Sequence, residues 1–440
     1  MRFRITLVTV LLATFFVNAQ QKKWTLKECV EYALEHNITI KQSELDLENI
    51  DIDRLDAIGN FIPSLNGNST LSSSTGLSTN PTTGILENTV QTTISAGISS
   101  GVTLFDGLRN LKQLTRAKLN KVASQYRLDD IKDDISLAVA NGYLQILFNR
   151  ENLVVAQAQY AVTEQDLNRT KELVSSGVVP KGDLLEIEAT AATQEQQIIN
   201  SENALRLSKI ALAQLLLIQD YENFDIANEN FLVPTSTILN NTPRTIFDKA
   251  VTFRNDIKFS ETNVELAKKD LEISKGASYP TLNGFFNYNT RYTDQIPADL
   301  IQQFYTFDGI SYGVQLNVPI FNGFNTSNRI KRSKIALDKA QLQLEQDKLD
   351  LENTVNQAWN DTQAALKAYE AAQKTLIART EAYNYAKERF NVGLMNSFDF
   401  SQAQSRLENA QAEEIRTKFD YIFKLKVLEF YFGIPIDDLN

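Results

Sequence analysis

Two proline-free stretches of equal length constrain this chain more than any other feature. The first runs from Gly107 to Gly177 and the second from Gly323 to Gly393, so both offsets are 216 positions (323−107 and 393−177). The first stretch is rich in Ala, Gln, Leu, Lys and Asp. At about 1.5 Å of rise per residue, a helix of this length would extend roughly 100 Å. The sequence therefore predicts two very long helices, which an ordinary globular domain does not need.

The two stretches belong to a duplication that covers most of the chain. Pro63-Ser-Leu-Asn-Gly67 is repeated, with Thr for Ser, as Pro280-Thr-Leu-Asn-Gly284 after 217 positions, and Leu114–Leu119 resembles Ile330–Ile335. Because the offset is nearly constant, it predicts two structurally equivalent halves, each with two strands followed by two long helices. The expected boundaries are 20–218 for the first half (strands about 62–104, helices about 107–176 and 182–218), 219–244 for a polar linker, and 245–440 for the second half (strands about 280–320, helices about 323–392 and 399–432).

The first 19 residues have the zones of a secretory signal peptide. Arg2 and Arg4 precede an apolar stretch from Ile5 to Val17, and the small residue Ala19 ends the segment. This order predicts cleavage after Ala19 and export of the mature chain. A membrane anchor is the less favoured alternative, because the apolar part is shorter than the roughly 20 residues that span a bilayer.

Composition argues against several classes of function. The net charge is −10 and no block is rich in Lys and Arg, which argues against a nucleic-acid partner. Cys29 and His36 are the single cysteine and the single histidine, so we expect no internal disulfide, no histidine-based metal site and no cofactor. Beyond the first 19 residues no stretch is apolar enough for a membrane helix, so any membrane crossing would have to use strands.

A period of two between the helices indicates strands. Mainly apolar residues alternate with small polar ones from Val90 to Leu104, and a similar alternation runs from Tyr312 to Ile320. Segments of about ten residues with one apolar and one polar face are typical of transmembrane strands, although a half-buried soluble sheet has the same pattern. The polar stretches Ser72–Asn88 and Asp294–Phe307 are predicted to be exposed loops between the strands.

The first long helix carries an apolar stripe with a helical period, which predicts packing against a neighbouring helix as in a coiled coil. The stripe consists of Ile131, Ile135, Ala138, Gly142 and Ile146.

Four strands per chain cannot close a barrel. An unpaired strand edge in lipid would leave backbone groups unsatisfied at a cost of several kcal/mol each. If the strands lie in a membrane, several chains must therefore share one barrel. Two chains would supply eight strands, whose interior is filled by side chains, whereas three would supply twelve and leave a lumen. Strand geometry alone favours three chains over two.

The order of these motifs resembles the TolC family of outer-membrane efflux proteins. The similarity rests on the duplicated halves, the Pro-Ser/Thr-Leu-Asn-Gly start of the first strand in each half and the Phe-Asp/Asn-Gly turn after the second, and it extends from about Trp24 to about Pro435. The resemblance implies a mainly α fold with membrane β-strands, in which a homotrimer forms one twelve-stranded barrel in the outer membrane, continued by an α-helical barrel across the periplasm. It also implies a passive exit duct of a tripartite efflux or type I secretion system, whose partners are a periplasmic adaptor, an inner-membrane pump and outer-membrane lipid. The sequence does not identify the cargo.

Two helical hairpin tips carry the candidate pore residues. The tips are Gly177–Asp183 and Gly393–Asp399, at equivalent positions of the two halves. By the resemblance they form the periplasmic entrance, where Asp183 and Asp399 would surround the aperture. Gln402 stands where the family's best-known member has a second acid, which counts against strong cation selectivity.

The same tips contain apolar residues at turns that have no evident local core. Such residues suggest a partner surface, so we expect contacts with the adaptor here. The candidates are Val178, Val179, Leu394 and Met395.

A structural role for the two aspartates competes with the pore role. Asp183-x-x-Glu186 and Asp399-x-x-Gln402 both match a capping box, in which the aspartate would be the N-cap of the returning helix. The two roles are compatible, because a cap at a threefold pore still places three carboxylates around the axis.

Two other functions compete with the exit duct. Gly97-Ile-Ser-Ser-Gly101 matches the string of a hydrolase nucleophile, but it lies in an alternating strand and His36 precedes it, so we expect no enzyme activity. A periplasmic coiled-coil adaptor without a membrane barrel would share the long hairpins. The aromatic residues of the strands, such as Phe286 and Tyr312, favour a lipid-facing girdle instead.

Overall fold

The computed structural model describes residues 23–80, 82–227, 233 and 237–435, so the expected signal peptide at 1–19 lies outside the described residues. The chain divides into two compact units. The helical unit comprises Met1–Ser43, Leu128–Asn255 and Lys348–Asn440, and the sheet unit comprises Glu44–Arg127 and Asp256–Asp347. Two helices of 67 residues each, α3 (Arg109–Ser175) and α8 (Asn325–Asn391), contribute residues to both units.

Among its described residues the helical unit contains four further α-helices and a small sheet. Its helices are α1 (Leu26–His36), α4 (Lys181–Leu215), α5 (Pro243–Phe253) and α9 (Ser397–Tyr431), and its sheet pairs β1 (Lys23–Trp24) in parallel with β4 (Asp225–Ile226). The two short helices begin at threonine caps. At α1 the Thr25 hydroxyl accepts a bond from the N–H of Glu28 while the Glu28 carboxylate accepts one from the N–H of Thr25, which is a complete capping box.

The main core of the helical unit joins α1, α3, α4 and α9. Tyr143 of α3 is fully buried in it, and Cys29 of α1 is one of its small apolar members. The predicted stripe on α3 is wrong at Ala138, which is exposed, although Ile146 is buried. The apolar stretch of α3 is continuous enough to bury two adjacent stripes, so one stripe with a helical period does not coincide with the centre of the packed face. The buried residues of this part of α3 are Val139, Ala140, Tyr143, Leu144, Ile146 and Leu147.

The sheet unit is built from a four-stranded antiparallel sheet and a layer of helices. The sheet order is β2 (Ser64–Thr79), β3 (Leu86–Phe105), β5 (Thr281–Thr293) and β6 (Gly309–Asn317). The helices of this unit are α2 (Ile38–Gly59), which begins just outside it, α6 (Asn255–Gly276), the short α7 (Leu300–Thr306), and the first parts of α3 and α8.

Strand register puts most of the apolar residues of all four strands on one face of the sheet. Directly paired residues of an antiparallel sheet share a face. One cross-strand row is Leu65–Ser100–Phe286–Tyr312, and the next residues along form the row Asn66–Ser99–Asn287–Ser311 on the opposite face. Many of the apolar side chains are open to solvent, and Tyr312 is 80% exposed. The sheet therefore has an apolar face that no described part of the chain covers completely.

The loops between the strands are shorter and more structured than the sequence suggested. The predicted loop Ser72–Asn88 is wrong, because β2 continues to Thr79 and β3 begins at Leu86. Serine and threonine read as loop residues, yet here they lie on both faces of β2 and continue its antiparallel ladder with β3. The second loop contains α7 and its buried Gln303. The side-chain oxygen of Gln303 accepts a bond of 2.9 Å from the N–H of Thr293, and its amide donates one of 3.0 Å to the carbonyl oxygen of Thr293.

The helices of the sheet unit form a layer in the order α2–α3–α6–α8. Lys121 of α3 contacts Asp51 of α2 at 2.6 Å, Arg116 of α3 contacts Asp270 of α6 at 2.6 Å, and Ser274 of α6 bonds to Ser333 of α8 at 2.8 Å. This order follows the strand order, because α2 leads into β2, β3 leads into α3, α6 leads into β5 and β6 leads into α8.

Glycine is required where β3 gives way to α3. Gly107 has a φ of +72°, and a Cβ atom there would lie 2.3 Å from the carbonyl oxygen of Gly276. The equivalent Gly323 has a φ of +63°. The Phe-Asp/Asn-Gly motif is therefore a left-handed turn at the end of the sheet.

Candidate functional site

The two hairpin tips begin with the same helix-ending turn. At the end of α3 the N–H of Val178 bonds to the oxygen of Leu173 at 2.9 Å, and Gly177 has a φ of +74°. At the end of α8 the N–H of Leu394 bonds to the oxygen of Arg389 at 2.8 Å. Each bond runs from the third residue after the helix back to its last turn, and a left-handed glycine precedes the donor, which is a Schellman motif. The duplicated glycines thus place two equivalent tips at the ends of the long helices.

The second helix of each hairpin begins differently at the two tips. Asn396 is the N-cap of α9, because its side-chain oxygen accepts a bond of 2.8 Å from the N–H of Asp399 and its amide donates to the Asp399 carboxylate at 3.0 Å. Pro180 occupies the cap position of α4 and makes no side-chain cap bond. The prediction that Asp183 and Asp399 are N-caps is therefore wrong. Both helices start three residues earlier than the capping-box pattern suggested, so each aspartate lies in the first helical turn.

The predicted pore residues lie in different surroundings. Asp183 is half-buried, and its carboxylate accepts a hydrogen bond from the hydroxyl of Ser397 at the start of α9. Asp399 is exposed beside its cap. Gln402 is exposed one turn later and accepts a bond of 3.0 Å from Arg406. The structure thus links the two tips through Asp183 and leaves Asp399 open to solvent.

The apolar residues of the tips divide into exposed and inward-facing ones. Val178 and Leu394 are 66% and 68% exposed, as an adaptor contact requires. Val179 is half-buried, and Met395 packs against the aromatic residues behind the second tip, so the prediction that this tip has no local core is wrong. Sequence reasoning missed Val392 and Phe398, which are both more than 60% exposed. The sequence signal that could have identified both residues is their apolar character next to the end of α8 and the start of α9.

A small aromatic cluster supports the second tip from inside. The rings of Phe390 and Phe400 stack with centroids 4.5 Å apart, and Tyr383 stacks on Phe400 at 5.7 Å. Stacked aromatic pairs contribute about 0.5–1.5 kcal/mol beyond the area that they bury. The cluster therefore holds the end of α8 against the start of α9.

Hydrogen bonds between side chains join the two hairpins behind the tips. Gln404 of α9 donates to the hydroxyl of Thr163 of α3 at 2.6 Å. Gln194 of α4 donates to Glu408 of α9 at 2.5 Å. We call these pairs and their neighbours the polar seam, which consists of Thr190–Ser401, Gln194–Glu408, Gln404–Thr163 and Gln159–Gln411. A seam of this kind can exchange its bonds for bonds to water.

Ionisable groups with shifted pKa values lie beside the polar seam. Burial raises the pKa of Asp166, although the cations of Lys387 and Arg169 act in the opposite direction, and one oxygen of this carboxyl has no hydrogen-bond partner among the described residues. Burial raises the pKa of Glu408, while its bonds from Gln194 and Gln404 lower it. Burial also raises the pKa of Tyr383 to about 12. The two carboxyl pKa values are raised because burial removes these groups from water, and the Asp166 and Glu408 carboxylates add to the rise at Tyr383.

Two other kinds of site receive no support from the described residues. No group of three or more His, Cys, Asp or Glu side chains in the described part of the chain could hold a metal ion. Ser99 lies in the middle of β3, paired with Asn66, and not at a strand-to-helix turn.

Among the helices that the structure describes, none combines the length and the apolar character needed to cross a membrane.

Comparisons with known proteins agree with the duplicated fold. The profile of the outer membrane efflux protein family matches residues 30–216 and 247–433. The outer membrane protein TolC of Vibrio cholerae is 23% identical over 335 residues, which cover 76% of this chain and 75% of that protein. The alkaline protease secretion protein AprF of Pseudomonas aeruginosa is 24% identical over 71% of this chain and 64% of its own length.

Solved structures show the same fold at low sequence identity. The outer membrane protein VceC of Vibrio cholerae superposes with a TM-score of 0.77 at 16% identity, and the match covers 93% of this chain and 96% of that one. The family profile matches twice, once in each half, which agrees with the duplicated fold of two strands and one long helical hairpin per half. This chain therefore belongs to the outer membrane efflux protein family and serves as an outer-membrane exit duct that extends into the periplasm.

Proposed function

We propose that three copies of this chain form one passive duct, which receives its cargo from an inner-membrane pump through a periplasmic adaptor. The observation that carries the proposal is the open sheet of the sheet unit. Among the described residues β2 and β6 each pair on one side only, and the face that they share is apolar and exposed. A sheet with two free edges cannot lie in lipid by itself, because its unpaired backbone groups would have no partner there.

Three copies complete the sheet in a way that one or two do not. Twelve strands close a barrel with a lumen, whereas eight give an interior filled by side chains. In a barrel closed this way the apolar face would contact lipid and the row that contains Asn66 and Asn287 would line the lumen. A polar lumen suits a duct for water-soluble cargo.

The hairpin tips are the proposed entrance of the duct. Three copies would place three Asp399 carboxylates around the axis. Asp183 would act differently, since its bond to Ser397 ties the first hairpin to the second. The polar seam behind the tips supports an entrance that can widen, because its contacts are hydrogen bonds and not a continuous apolar core.

The adaptor would bind the exposed apolar residues of the tips. Val178 and Leu394, which the sequence suggested, remain candidates for this contact. Val392 and Phe398 are added because their side chains are also exposed. Val179 and Met395 are weaker candidates because each is partly turned inward. Exposed apolar residues at the end of a long hairpin indicate a partner surface.

Purification from outer membranes and reconstitution test the proposal. We expect the protein to stay in the outer-membrane pellet after a high-salt wash, to have the mass of three chains in mild detergent by native mass spectrometry, and to conduct ions in planar bilayers. A salt-extractable protein would support the adaptor alternative. A single chain in detergent with no conductance would contradict the duct.

A further inference from the structure

A polar cavity of about 780 Å³ lies in the sheet unit, beside the loop that joins β5 to β6. Its floor is the polar face of β3 and β5, and one wall is formed by Thr306, Phe307 and Asp308 at the end of that loop. Its volume lies within the range of small-molecule sites in proteins, which is roughly 300–1,000 Å³. We call it the loop cavity, and all the residues that line it belong to the sheet unit of one chain.

The wall of the loop cavity is held by side chains that bind backbone groups. Strand β5 runs four residues beyond its pairing with β6, and α7 lies beside this free stretch. Gln303 of α7 makes hydrogen bonds of 2.8 to 3.1 Å to four backbone groups of β5 and the loop, and the hydroxyl of Thr290 donates to the oxygen of Phe304 at 2.7 Å. At the start of the loop, the N–H of Asp294 donates to the oxygen of Thr92 at 3.1 Å, and its carboxylate accepts from the N–H of Thr92 at 3.0 Å. These bonds give the cavity a wall of defined shape.

The amide and charged side chains of the loop cavity are not used in this way. None of them forms a hydrogen bond or an ion pair with another of the described residues. Together they offer amide groups that both donate and accept, one carboxylate that accepts and one guanidinium that donates. These side chains are Asn68, Asn287, Asn289, Arg291 and Asp308. The side chains of the loop therefore serve the fold, whereas those of the cavity are available to a ligand.

Arg291 supplies the positive charge of the loop cavity. Its guanidinium carbon lies 5.4 Å from the centre of the Phe307 ring, which is a cation–π contact. This contact positions the side chain without an acceptor oxygen, so the N–H donors of the guanidinium remain available to a carboxylate or a phosphate. The cavity thus favours a ligand with one anionic group.

The floor of the loop cavity is open because Gly97 has no side chain. Gly97 pairs with Asn68 on one side and with Asn289 on the other, so two amides flank the glycine on the same face of the sheet. With strands about 4.8 Å apart, the two asparagine backbones are separated by about 10 Å. A Cβ atom on Gly97 would lie 2.9 Å from the carbonyl oxygen of Tyr288 and 3.6 Å from Oδ1 of Asn68. The gap lets one ring-shaped solute lie between two amides.

We propose that the loop cavity binds an acidic sugar, with its anionic group on Arg291 and its hydroxyl groups on Asn68, Asn289 and Asp308. Each sugar hydroxyl both donates and accepts, which suits amides and a carboxylate. An apolar solute would leave these polar groups unpaired, and a neutral one would leave Arg291 without its anion. The site is complete within one chain. It rests on the proposed duct only for its setting, because in a closed barrel the polar face would line the lumen.

Titration with two related sugars tests the chemistry of the site. Ligand-observed NMR on the purified protein in detergent should show that galacturonate binds at least about fivefold more tightly than galactose, because only the acid can pair with the guanidinium. Arg291→Gln should remove this difference and leave the affinity for galactose unchanged. The matched control is Arg329→Gln, which removes an exposed arginine of α8 outside the cavity and should preserve the difference. Equal affinities of the two sugars, or a difference that survives Arg291→Gln, would contradict the role of Arg291.

Filling the cavity tests its location. Ser99→Trp places a large side chain on the floor and should abolish galacturonate binding. Ser74→Trp makes the same change on the same face of the sheet outside the cavity and should not alter binding. Circular dichroism checks that both variants are folded, and unaltered binding by a folded Ser99→Trp variant would overturn the proposed location.

Conductance separates this inference from the proposed duct. A trimer that conducts ions in planar bilayers but shows no saturable binding of galacturonate would overturn the sugar site and leave the duct intact. A protein that binds galacturonate through Arg291 but stays single and conducts no ions would contradict the duct and retain the site.

Discussion

The two ends of the helical unit are held together by different interactions. Near α1, the helices bury large apolar side chains such as Tyr143 and Ile146 completely. Behind the tips, the same long helices meet through Gln404 and Thr163 and the other pairs of the polar seam. Burying one large apolar side chain contributes about 1.5–3 kcal/mol, whereas a hydrogen bond that water can replace contributes about 0.5–1.5 kcal/mol. The difference indicates that the core end should stay closed while the tip end can separate.

The largest effect is expected at the core. Tyr143→Ala should lower the free energy of unfolding by about 3–5 kcal/mol, because it leaves a cavity where a side chain with 0% exposure was packed. Thermal unfolding monitored by circular dichroism measures the change. Tyr385→Ala is the matched control, since that tyrosine is exposed and should shift stability by less than about 0.5 kcal/mol. Equal losses of unfolding free energy in the two variants would show that the buried Tyr143 stabilises the fold no more than an exposed tyrosine does.

Replacing one partner of the polar seam should have a smaller effect. Gln404→Leu removes the donor to the buried Thr163 hydroxyl and should destabilise the closed seam by about 1–2 kcal/mol. Adding Thr163→Val removes the other partner and should recover part of that loss, because two apolar groups can replace a hydrogen-bonded pair, whereas the bond from Gln404 to Glu408 stays absent. Hydrogen exchange of residues 397–410 reports both changes. If the double variant exchanged faster than the single one, the seam would be held by something other than this bond.

The polar seam should also tighten as the pH falls. The pKa values of Asp166 and Glu408 are raised when the seam is closed, so the closed state binds protons that the open state does not. Its stability therefore increases as the pH falls through the raised values and levels off near the ordinary carboxyl pKa of about 4. Hydrogen exchange between pH 7 and pH 5, corrected for the intrinsic rate, measures this. The Asp166→Asn, Glu408→Gln double variant should show a flat profile, and an unchanged slope would assign the effect to other groups.

The smallest effect is expected at the tip itself. Asp399→Asn removes an exposed charge and should reduce the cation preference of single channels in planar bilayers. Gln402→Glu adds a charge one turn away and should raise that preference. The two variants change the charge of one helix surface in opposite directions. If neither variant changed the cation preference, the entrance of the duct would lie elsewhere.

Some of the site was readable from the sequence because its signal is local. Gly177 and Gly393 predicted helix ends, and both have the left-handed φ that favours glycine. The role of Asp399 was not readable, because Asn396 and Asp399 can each begin a capping box and only the observed helix start decides between them. The inward position of Met395 depends on Phe400 from the returning helix, which no local pattern reports.

The amino-acid sequence by itself determined the duplication, the long helices and the two-residue period of the strands, because each of these is a repeat along the chain. Only the tertiary structure decided that most of the apolar residues of four separate strands share one face and that α2 and α8 are the free edges of their layer. The physical reason is that strand register and helix order depend on contacts between residues far apart in sequence, such as Arg116 and Asp270, whose partners the pattern around either residue does not specify.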